Sequence, residues 1–110
     1  MKFGLFGGPQ TQTGGIVPGK ALGYLEYGKY VVEAEHLGYS SAWLFEHHFS
    51  GFGQSSSSLN LLCYLAGITN KIRLGSAVVV VPWHNPILLA EQIGTLDVLS
   101  NGRYDFGVGR

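Results

Sequence analysis

The hydrophobic and polar positions of this chain alternate between two periods. Short apolar runs that end at glycine, polar or proline residues are typical of strands. They occupy Lys2–Phe6, Ser41–Phe45 and Ile72–Val81, and a fourth run begins at Tyr104. Apolar residues that recur every three or four positions are typical of amphipathic helices. They occupy about Lys20–Leu37, Ser58–Thr69 and Pro86–Leu99.

Residues between these elements support their boundaries. Gln10–Gly19 is polar and glycine-rich and is predicted to be a loop. Gly38 follows the first helix and is predicted to be its C′ residue. The serines of Ser55–Ser57 are predicted to cap the second helix. Asn85 and Pro86 predict an N-cap followed by proline at the first helical position of the third helix.

The order β-α-β-α-β-α-β predicts a run of parallel βαβ units. The second helix is apolar nearly all round, so it lies either deep in a core or against a second subunit. Two parallel α/β architectures fit this order, an open doubly wound sheet or part of a (β/α)₈ barrel. A barrel needs about 250 residues, so 110 residues would be close to half of one. Four strands cannot close, so an isolated chain is expected to self-associate or to be partly disordered.

Composition narrows the functional classes. Seven basic and seven acidic residues cancel and form no basic stripe, which argues against a nucleic-acid partner. Cys63 is the one cysteine, which rules out an internal disulfide and fits a reducing compartment. The longest nearly apolar run, Ala77–Trp83, is far below the ~20 residues of a membrane helix, and no targeting segment is visible. We therefore expect a cytoplasmic protein that does not contact a membrane.

The carboxyl ends of the strands are where ligands bind in parallel α/β folds. In this chain those ends gather glycines, Glu46, His47 and Arg110. Glycine allows close approach, arginine pairs with phosphate and histidine transfers protons. The mixture fits a planar, phosphorylated cofactor.

The segment Leu44–Phe49, LFEHHF, contains two adjacent histidines. Neighbouring residues of an extended segment point to opposite faces, so His47 and His48 are not expected to share a metal ion, and no metal site is predicted. Spacing alone leaves His47 as either a proton-transfer group or a polar residue satisfied at a strand end. Glu46 either anchors a loop or a helix N-terminus or takes part in the reaction. His84 is expected to be exposed in a loop.

Five stretches, in this order and spacing, resemble the N-terminal part of the bacterial luciferase-like, flavin-dependent monooxygenases. They are MKFGLF, AWLFEHHF, IRLGSAVVVVP, NPILLAEQIGTLDVLSNGR and FGVGR. The resemblance covers essentially the whole chain and is especially close to luciferase α-subunits around the EHHF motif. It implies the N-terminal half, strands one to four, of a (β/α)₈ TIM barrel. Residues 1–110 would then form one partial domain, truncated after strand four.

The resemblance also implies an activity. Reduced FMN, supplied by a flavin reductase, would react with O₂ to a C4a-peroxyflavin that oxidises an aldehyde or another small organic molecule. The protein would be a dimer through helices two and three. The alternatives are a non-enzymatic flavin-binding relative, a deazaflavin-dependent oxidoreductase of the same fold, and a half-barrel that serves only for assembly.

Site residues follow from the same resemblance. His47 matches the active-site histidine that serves in acid/base chemistry near the flavin. Ala77-Val78 matches a non-prolyl cis peptide that supports the isoalloxazine ring, and Arg110 matches an arginine that contacts the flavin phosphate. Other motif positions are assigned to structure and the subunit interface, namely Glu46, His48 and Glu91.

Two positions depart from the luciferase α-subunit pattern. Gly109 stands where those subunits have a reactive cysteine, which argues against light emission but leaves general monooxygenase chemistry intact. The cis pair is Ala-Val rather than Ala-Ala, which places a bulkier residue, Val78, behind the ring.

Overall fold

Among the residues that the structure describes, three α-helices separate the strands into four groups, and the third and fourth groups each consist of two short strands. The computed structural model describes residues 1–9, 22–49 and 55–110. The helices are α1 (Leu22–His36), α2 (Ser58–Ile68) and α3 (Pro86–Leu99). The strands are β1 (Gly4–Gly7), β2 (Ser41–Leu44), β3 (Arg73–Ser76), β4 (Val79–Val80), β5 (Tyr104–Asp105) and β6 (Val108–Gly109). The loop predicted at residues 10–19 lies outside the described residues.

The main sheet has four parallel strands in the order β1-β2-β3-β5. A smaller sheet pairs β4 with β6, also in parallel. A doubly wound sheet reverses its strand order at a switch point, whereas a (β/α)₈ barrel adds each new strand beside the last one. The observed order is that of the predicted N-terminal half of a TIM barrel.

One face of the main sheet carries the hydrophobic core. Ala42 and Leu44 of β2 are buried, while Ser41 and Trp43 between them are partly exposed, because successive side chains of a strand point to opposite faces. The register places Ala42 beside Leu74 of β3, which is also buried. Each helix adds buried residues to this core, including Val31, Leu62, Leu65 and Leu96. The helices therefore cover one face of the sheet in the described part of the chain.

The helix ends confirm two of the three predicted caps. Gly38 follows α1 with a φ of 87°, the left-handed conformation expected of a C′ glycine. The Asn85 side chain accepts hydrogen bonds from the backbone N–H groups of Ile87 (3.0 Å) and Leu88 (3.2 Å) at the start of α3. The predicted serine cap of α2 is wrong, because the side chain of its N-cap residue, Ser57, makes no capping hydrogen bond.

Helix α2 owes its apolar composition mainly to the core of this chain. It packs against α1, α3 and β3, and these neighbours leave little of its surface exposed. Its buried side chains are Ser58, Leu59, Leu61, Leu62, Leu65 and Ala66. Of the two explanations that the sequence left open, the structure supports burial within one chain. None of the described helices is long and apolar enough to cross a membrane.

The third and fourth strands are each interrupted, which the sequence pattern did not predict. The peptide bond Ala77-Val78 between β3 and β4 is cis, as the resemblance implies. Ser76 bridges this break to the fourth strand: its Oγ donates to the Gly107 carbonyl (2.9 Å) and accepts from the Gly107 N–H (3.0 Å). The interruptions therefore leave their neighbouring backbone groups hydrogen-bonded, as buried backbone requires.

Candidate functional site

The segment after β2 separates two sets of side chains. Glu46 is buried and bonded to the N-terminus of α2, on the helix side, whereas the His47 side chain is exposed. The His47 ring lies 4.9 Å from the ring of Phe45 (centroid to centroid). Phe45 in turn meets Phe6 of β1 edge-on at 6.3 Å, and the Phe6 side chain is 71% exposed. The carboxyl ends of β1 and β2 thus present His47, Phe45 and Phe6 as a chain of neighbouring rings, with solvent access at its two ends.

Glu46 is the centre of a hydrogen-bond cluster on the helix side. Its Oε1 accepts from His48 Nε2 (2.9 Å), His84 Nε2 (3.1 Å) and the Val80 N–H (3.3 Å). Its Oε2 accepts from the Ser58 hydroxyl at 2.5 Å. The carboxylate therefore connects the end of β2 to the start of α2, to β4 and to the segment before α3.

Burial raises the pKa of the Glu46 carboxyl, since this residue is only 5% exposed. The hydrogen bonds from Ser58, His48, His84 and Val80 favour the charged form more strongly, and they hold the pKa below its ordinary value. Glu46 is therefore an anchoring carboxylate that is ionised at neutral pH.

His84 corrects an expectation from the sequence. It was predicted to be exposed in a loop, but its side chain is 23% exposed and reaches the same oxygen of Glu46 as His48 does. No sequence spacing brings residues 46 and 84 together, because the contact depends on the strand order. Within the described residues, no three His, Cys, Asp or Glu side chains are arranged to hold a metal ion.

An aromatic stack extends this cluster outward. The His48 ring stacks on Trp83 with centroids 5.4 Å apart and planes 22° apart. Phe49 lies edge-on to Trp83 at 6.1 Å and has a φ of 53°, which is rare for a bulky residue. His48 is thus held by Glu46 on one side and by Trp83 on the other, consistent with a structural role for this histidine.

The cis peptide and the end of the chain meet at the second sheet. Val80 pairs with Gly109 in the β4–β6 register, and the Val79 N–H donates to the Gly107 carbonyl at 2.9 Å. A Cβ added at Gly109 would lie within 3.0 Å of Val78 Cγ2. The structure therefore brings Val78 and Gly109 into direct contact, one residue before Arg110.

The remaining site residues lie on separate segments of the chain. Arg110 is exposed and follows β6 directly. Among the described residues, no hydrogen bond or ion pair links His47 to Val78 or to Arg110. Glu91 is also exposed and lies on α3. Their roles toward a cofactor stay predictions.

A cavity of about 620 Å³ lies at the end of the sheet opposite to the candidate site. Its lining includes Lys2, Trp43 and the ion pair of Arg73 with Asp105, whose Nη2–Oδ1 and Nε–Oδ2 distances are 2.6 and 2.8 Å. These residues lie at the amino ends of the strands. Ligand sites of parallel sheets lie at the carboxyl ends, so this cavity is not the candidate site.

These features define a class of protein, a parallel α/β half-barrel with a candidate ligand site at the carboxyl ends of its strands. The sequence profile of the luciferase-like monooxygenases matches residues 1–110. The chain belongs to the luciferase-like monooxygenase family.

Two curated relatives illustrate the similarity. A luciferase-like monooxygenase of Escherichia coli K12 is 46% identical over 78 residues, which are 70% of this chain and 23% of that protein. The alkanal monooxygenase alpha chain of Photorhabdus luminescens is 38% identical over 77 residues, 70% of this chain and 21% of that protein. The match thus spans less than a quarter of either relative.

Solved structures show the same fold. The monooxygenase RslO1 from Streptomyces bottropensis superposes with a TM-score of 0.87 at 30% identity, over 100% of this chain and 33% of that one. The oxygenating constituent of 3,6-diketocamphane monooxygenase from Pseudomonas putida, in complex with FMN, gives 0.83 at 25% identity over 99% and 29%. The coenzyme F420 dependent tetrahydromethanopterin reductase from Methanopyrus kandleri gives 0.74 at 27% identity over 98% and 26%.

Proposed function

We propose that this chain carries the N-terminal half of the flavin site of a monooxygenase, which uses reduced FMN and O₂ to oxidise a small organic molecule such as an aldehyde. One observation carries the proposal: His47 stands exposed at the carboxyl end of β2 beside Phe45, which in turn meets Phe6. Membership of the luciferase-like monooxygenase family supports it, and so does the FMN complex of the diketocamphane enzyme.

The residues present fit a flavin. Exposed aromatic rings and the branched side chain of Val78 offer apolar surface to a planar ring system. Gly109 adds no side chain that would project from the neighbouring strand. Arg110 would hold the phosphate, because a guanidinium pairs with phosphate through two hydrogen bonds. When bound, the reduced flavin supplies the electrons that activate O₂.

His47 is the proton-transfer group in this proposal. A histidine ring nitrogen is able to hold or release a proton during oxidation. Packing against Phe45 restricts the orientation of the ring. Glu46 and His48 fix the backbone on both sides of His47 through their own bond, so the histidine is held at the rim by its neighbours.

The deazaflavin alternative is kept because a coenzyme F420 dependent reductase shares the fold. Two monooxygenases superpose with higher TM-scores, 0.87 and 0.83 against 0.74, which favours the flavin branch. Titrating the full chain with FMN and with coenzyme F420, and following absorbance and fluorescence of each, separates these cofactors. Tighter binding of the deazaflavin by tenfold or more would reverse our preference.

The test of function replaces His47. In the full chain, supplied with FMN, a flavin reductase and O₂, His47→Ala is expected to lower turnover by about 10²-fold or more, the scale of general acid–base catalysis. FMN affinity should stay within a few-fold. His36→Ala is the matched control, since His36 is an exposed histidine on α1. A His47→Ala enzyme with wild-type turnover contradicts the assignment, and tight FMN binding without any turnover in the wild type supports the non-enzymatic alternative.

A dimer through α2 and α3 belongs to the same proposal. Helix α3 supports it, since Ile87, Leu88, Val98 and Leu99 are large apolar side chains that are each more than half exposed. Val98→Asp is expected to shift the sedimentation of the full chain from dimer to monomer. Leu25→Asp changes an exposed leucine of α1 in the same way and should leave the dimer intact. Equal effects of the two changes would place the interface elsewhere.

A further inference from the structure

Gly109 of β6 and Val78 of the cis pair are packed against each other. The three atoms nearest to a Cβ added at Gly109 all belong to the Val78 side chain, namely Cγ2, Cβ and Cγ1. The backbones on either side are tied by the Val79 N–H bond to the Gly107 carbonyl and by the pairing of β4 with β6. This pairing places the backbones of the two residues next to each other.

Gly75 shares this relation, since an added Cβ there would meet only the Trp43 side chain, but Gly107 and Gly94 differ. A Cβ at Gly107 would meet the backbone carbonyl of Ser76, which no side-chain change relieves. A Cβ at Gly94, on α3, would meet nothing within 4 Å. At Gly109 the obstacle is one side chain, so shortening that side chain would open the space.

We propose that Val78 and Gly109 are a size-matched pair that shapes the cofactor-facing wall of the site. The isopropyl group of Val78 takes the space that a side chain at position 109 would need, so a side chain at position 109 requires a smaller one at position 78. The two departures from the luciferase α-subunit pattern, valine in the cis pair and glycine before the arginine, are then one exchange of volume between neighbouring strands. The inference rests on the proposed flavin site.

The pair also has a chemical consequence. With Val78 in place, the wall presents branched aliphatic carbon and no thiol beside Arg110. A cysteine at position 109 would be accommodated only after residue 78 is shortened. Val78 is therefore a specificity-determining residue, because it decides whether a reactive side chain at position 109 faces the cofactor.

A double-mutant cycle tests the size match without relying on turnover. The variants are Val78→Ala, Gly109→Cys and the double change, made in the full chain with Cys63→Ser to remove the other thiol. Gly94→Cys is the control for adding a thiol in open space. We expect Gly109→Cys to lower Tm by about 5 °C or more and Val78→Ala to recover most of that loss, as overpacking is relieved by removing the opposing methyl groups.

Thiol alkylation tests the position of the pair relative to the cofactor. In the double variant, saturating FMN should slow iodoacetamide labelling of the thiol at position 109 by about fivefold or more. Labelling at position 94 should not change. FMN should also bind about three- to tenfold more weakly to Val78→Ala than to wild type, because the wall then lacks the isopropyl contact, and the double variant should regain most of that affinity.

The outcomes separate the size match from the flavin site. Additive Tm changes would overturn the size match. Non-additive Tm changes would support the size match. If FMN then bound without slowing the alkylation of the thiol at position 109, the role at the cofactor would be wrong while the proposed function stayed intact. A wild type that does not bind FMN would overturn the proposed function and the cofactor role together. If the cysteine variants do not fold, Gly109→Ala with and without Val78→Ala provides the same cycle with the smallest added side chain, and flavin binding is then the readout.

Discussion

The amino and carboxyl ends of the strands in the main sheet differ in how their charged side chains are bonded. We call these two ends of the sheet the amino edge and the carboxyl edge. At the amino ends, the Arg103 guanidinium donates five hydrogen bonds. The Glu35 carboxylate accepts from the backbone N–H groups of three consecutive residues, Asn70 to Ile72. At the carboxyl ends, Glu46 is similarly saturated on the helix side, but His47 on the other side is exposed.

This difference separates charged side chains that stabilise the fold from side chains that are free to act on a ligand. Donors and acceptors that are matched within the chain stabilise the fold and have little capacity left for a ligand. An exposed histidine beside apolar rings at the carboxyl edge is placed where parallel α/β folds bind ligands. We therefore expect changes at the amino edge to act on stability alone, and changes at the carboxyl rim to divide between stability, at Glu46, and function, at His47.

The largest expected effect on stability is at Arg103. Its donors reach the carbonyl oxygens of Ala66, Thr69, Ile72 and Ser100, and they join the end of α2 to the start of β3 and to the turn before β5. Arg103→Leu removes these donors and leaves several partly buried acceptors unpaired, so we expect unfolding free energy to fall by about 3 kcal/mol. Chemical denaturation followed by circular dichroism measures the change.

A matched variant sharpens this test. Arg103→Lys keeps the charge but loses the planar fork of donors, and it should recover less than half of the lost stability. Turnover per folded molecule should be unchanged in both variants. A selective loss of turnover in a stable Arg103→Lys protein would mean that the amino edge takes part in function. That result would contradict the expectation that this edge acts on stability alone.

The second effect is at Glu46, within the carboxyl rim. Glu46→Gln preserves the shape of the side chain but places an amide NH₂ where an oxygen accepts hydrogen bonds from Ser58, His48, His84 or Val80. We expect a loss of about 2 kcal/mol in unfolding free energy, since charge-assisted bonds are lost in a buried site. A variant as stable as the wild type would show that the cluster is not an anchor.

The sequence predicted the order of elements well but not the cluster around Glu46. Apolar residues with a period of two indicate strands, and those with a period of about 3.6 indicate helices. Neighbouring residues of an extended segment point to opposite faces, which was enough to place His47 and His48 on opposite sides. His84 was missed because its partner is 38 residues away and meets it only once β2 and β3 pair. Sequence spacing carries no information on that contact.

The interruptions of strands three and four were missed for a related reason. The β-branched run Ile72–Val81 satisfies the pattern of one strand. The break depends on Ser76, whose hydroxyl replaces ladder bonds to Gly107 across the neighbouring strand. The cis bond at Ala77-Val78 was anticipated from the family resemblance, not from the pattern of hydrophobic positions.

A third effect is the acid sensitivity of the fold. Burial raises the pKa of both Glu46 and Glu35, but hydrogen bonds outweigh it and lower the pKa of each. Their stabilisation is therefore present above the ordinary glutamate pKa of about 4.3 and is lost as pH falls through the lowered folded value. We expect Glu46 to account for the larger part of that loss, because it is the more buried of the two carboxylates.

Comparing Glu46→Gln with Glu35→Gln in unfolding titrations from pH 7 to pH 3 separates the two edges. Each variant should show a flatter acid limb than the wild type, because one linked carboxylate is gone. The change should be smaller for Glu35, since it is more exposed and water screens its hydrogen bonds. An unchanged acid limb in Glu46→Gln would mean that folding does not shift the pKa of this carboxyl.

The smallest effect is expected at the Arg73–Asp105 pair, which gives the sharpest control for the comparison. Asp105 holds the pKa of Arg73 above its ordinary value through a hydrogen bond and through charge, but both side chains are open to solvent at the amino edge. Exposed ion pairs contribute little and are screened by salt, so Arg73→Met should lower Tm by no more than about 2 °C, and less at high salt. FMN affinity and turnover should match the wild type, because the pair lies at the edge opposite His47. If Arg73→Met instead weakened FMN binding by tenfold while Tm held, the cavity at the amino ends would be part of the site, and the separation of the two edges would be wrong.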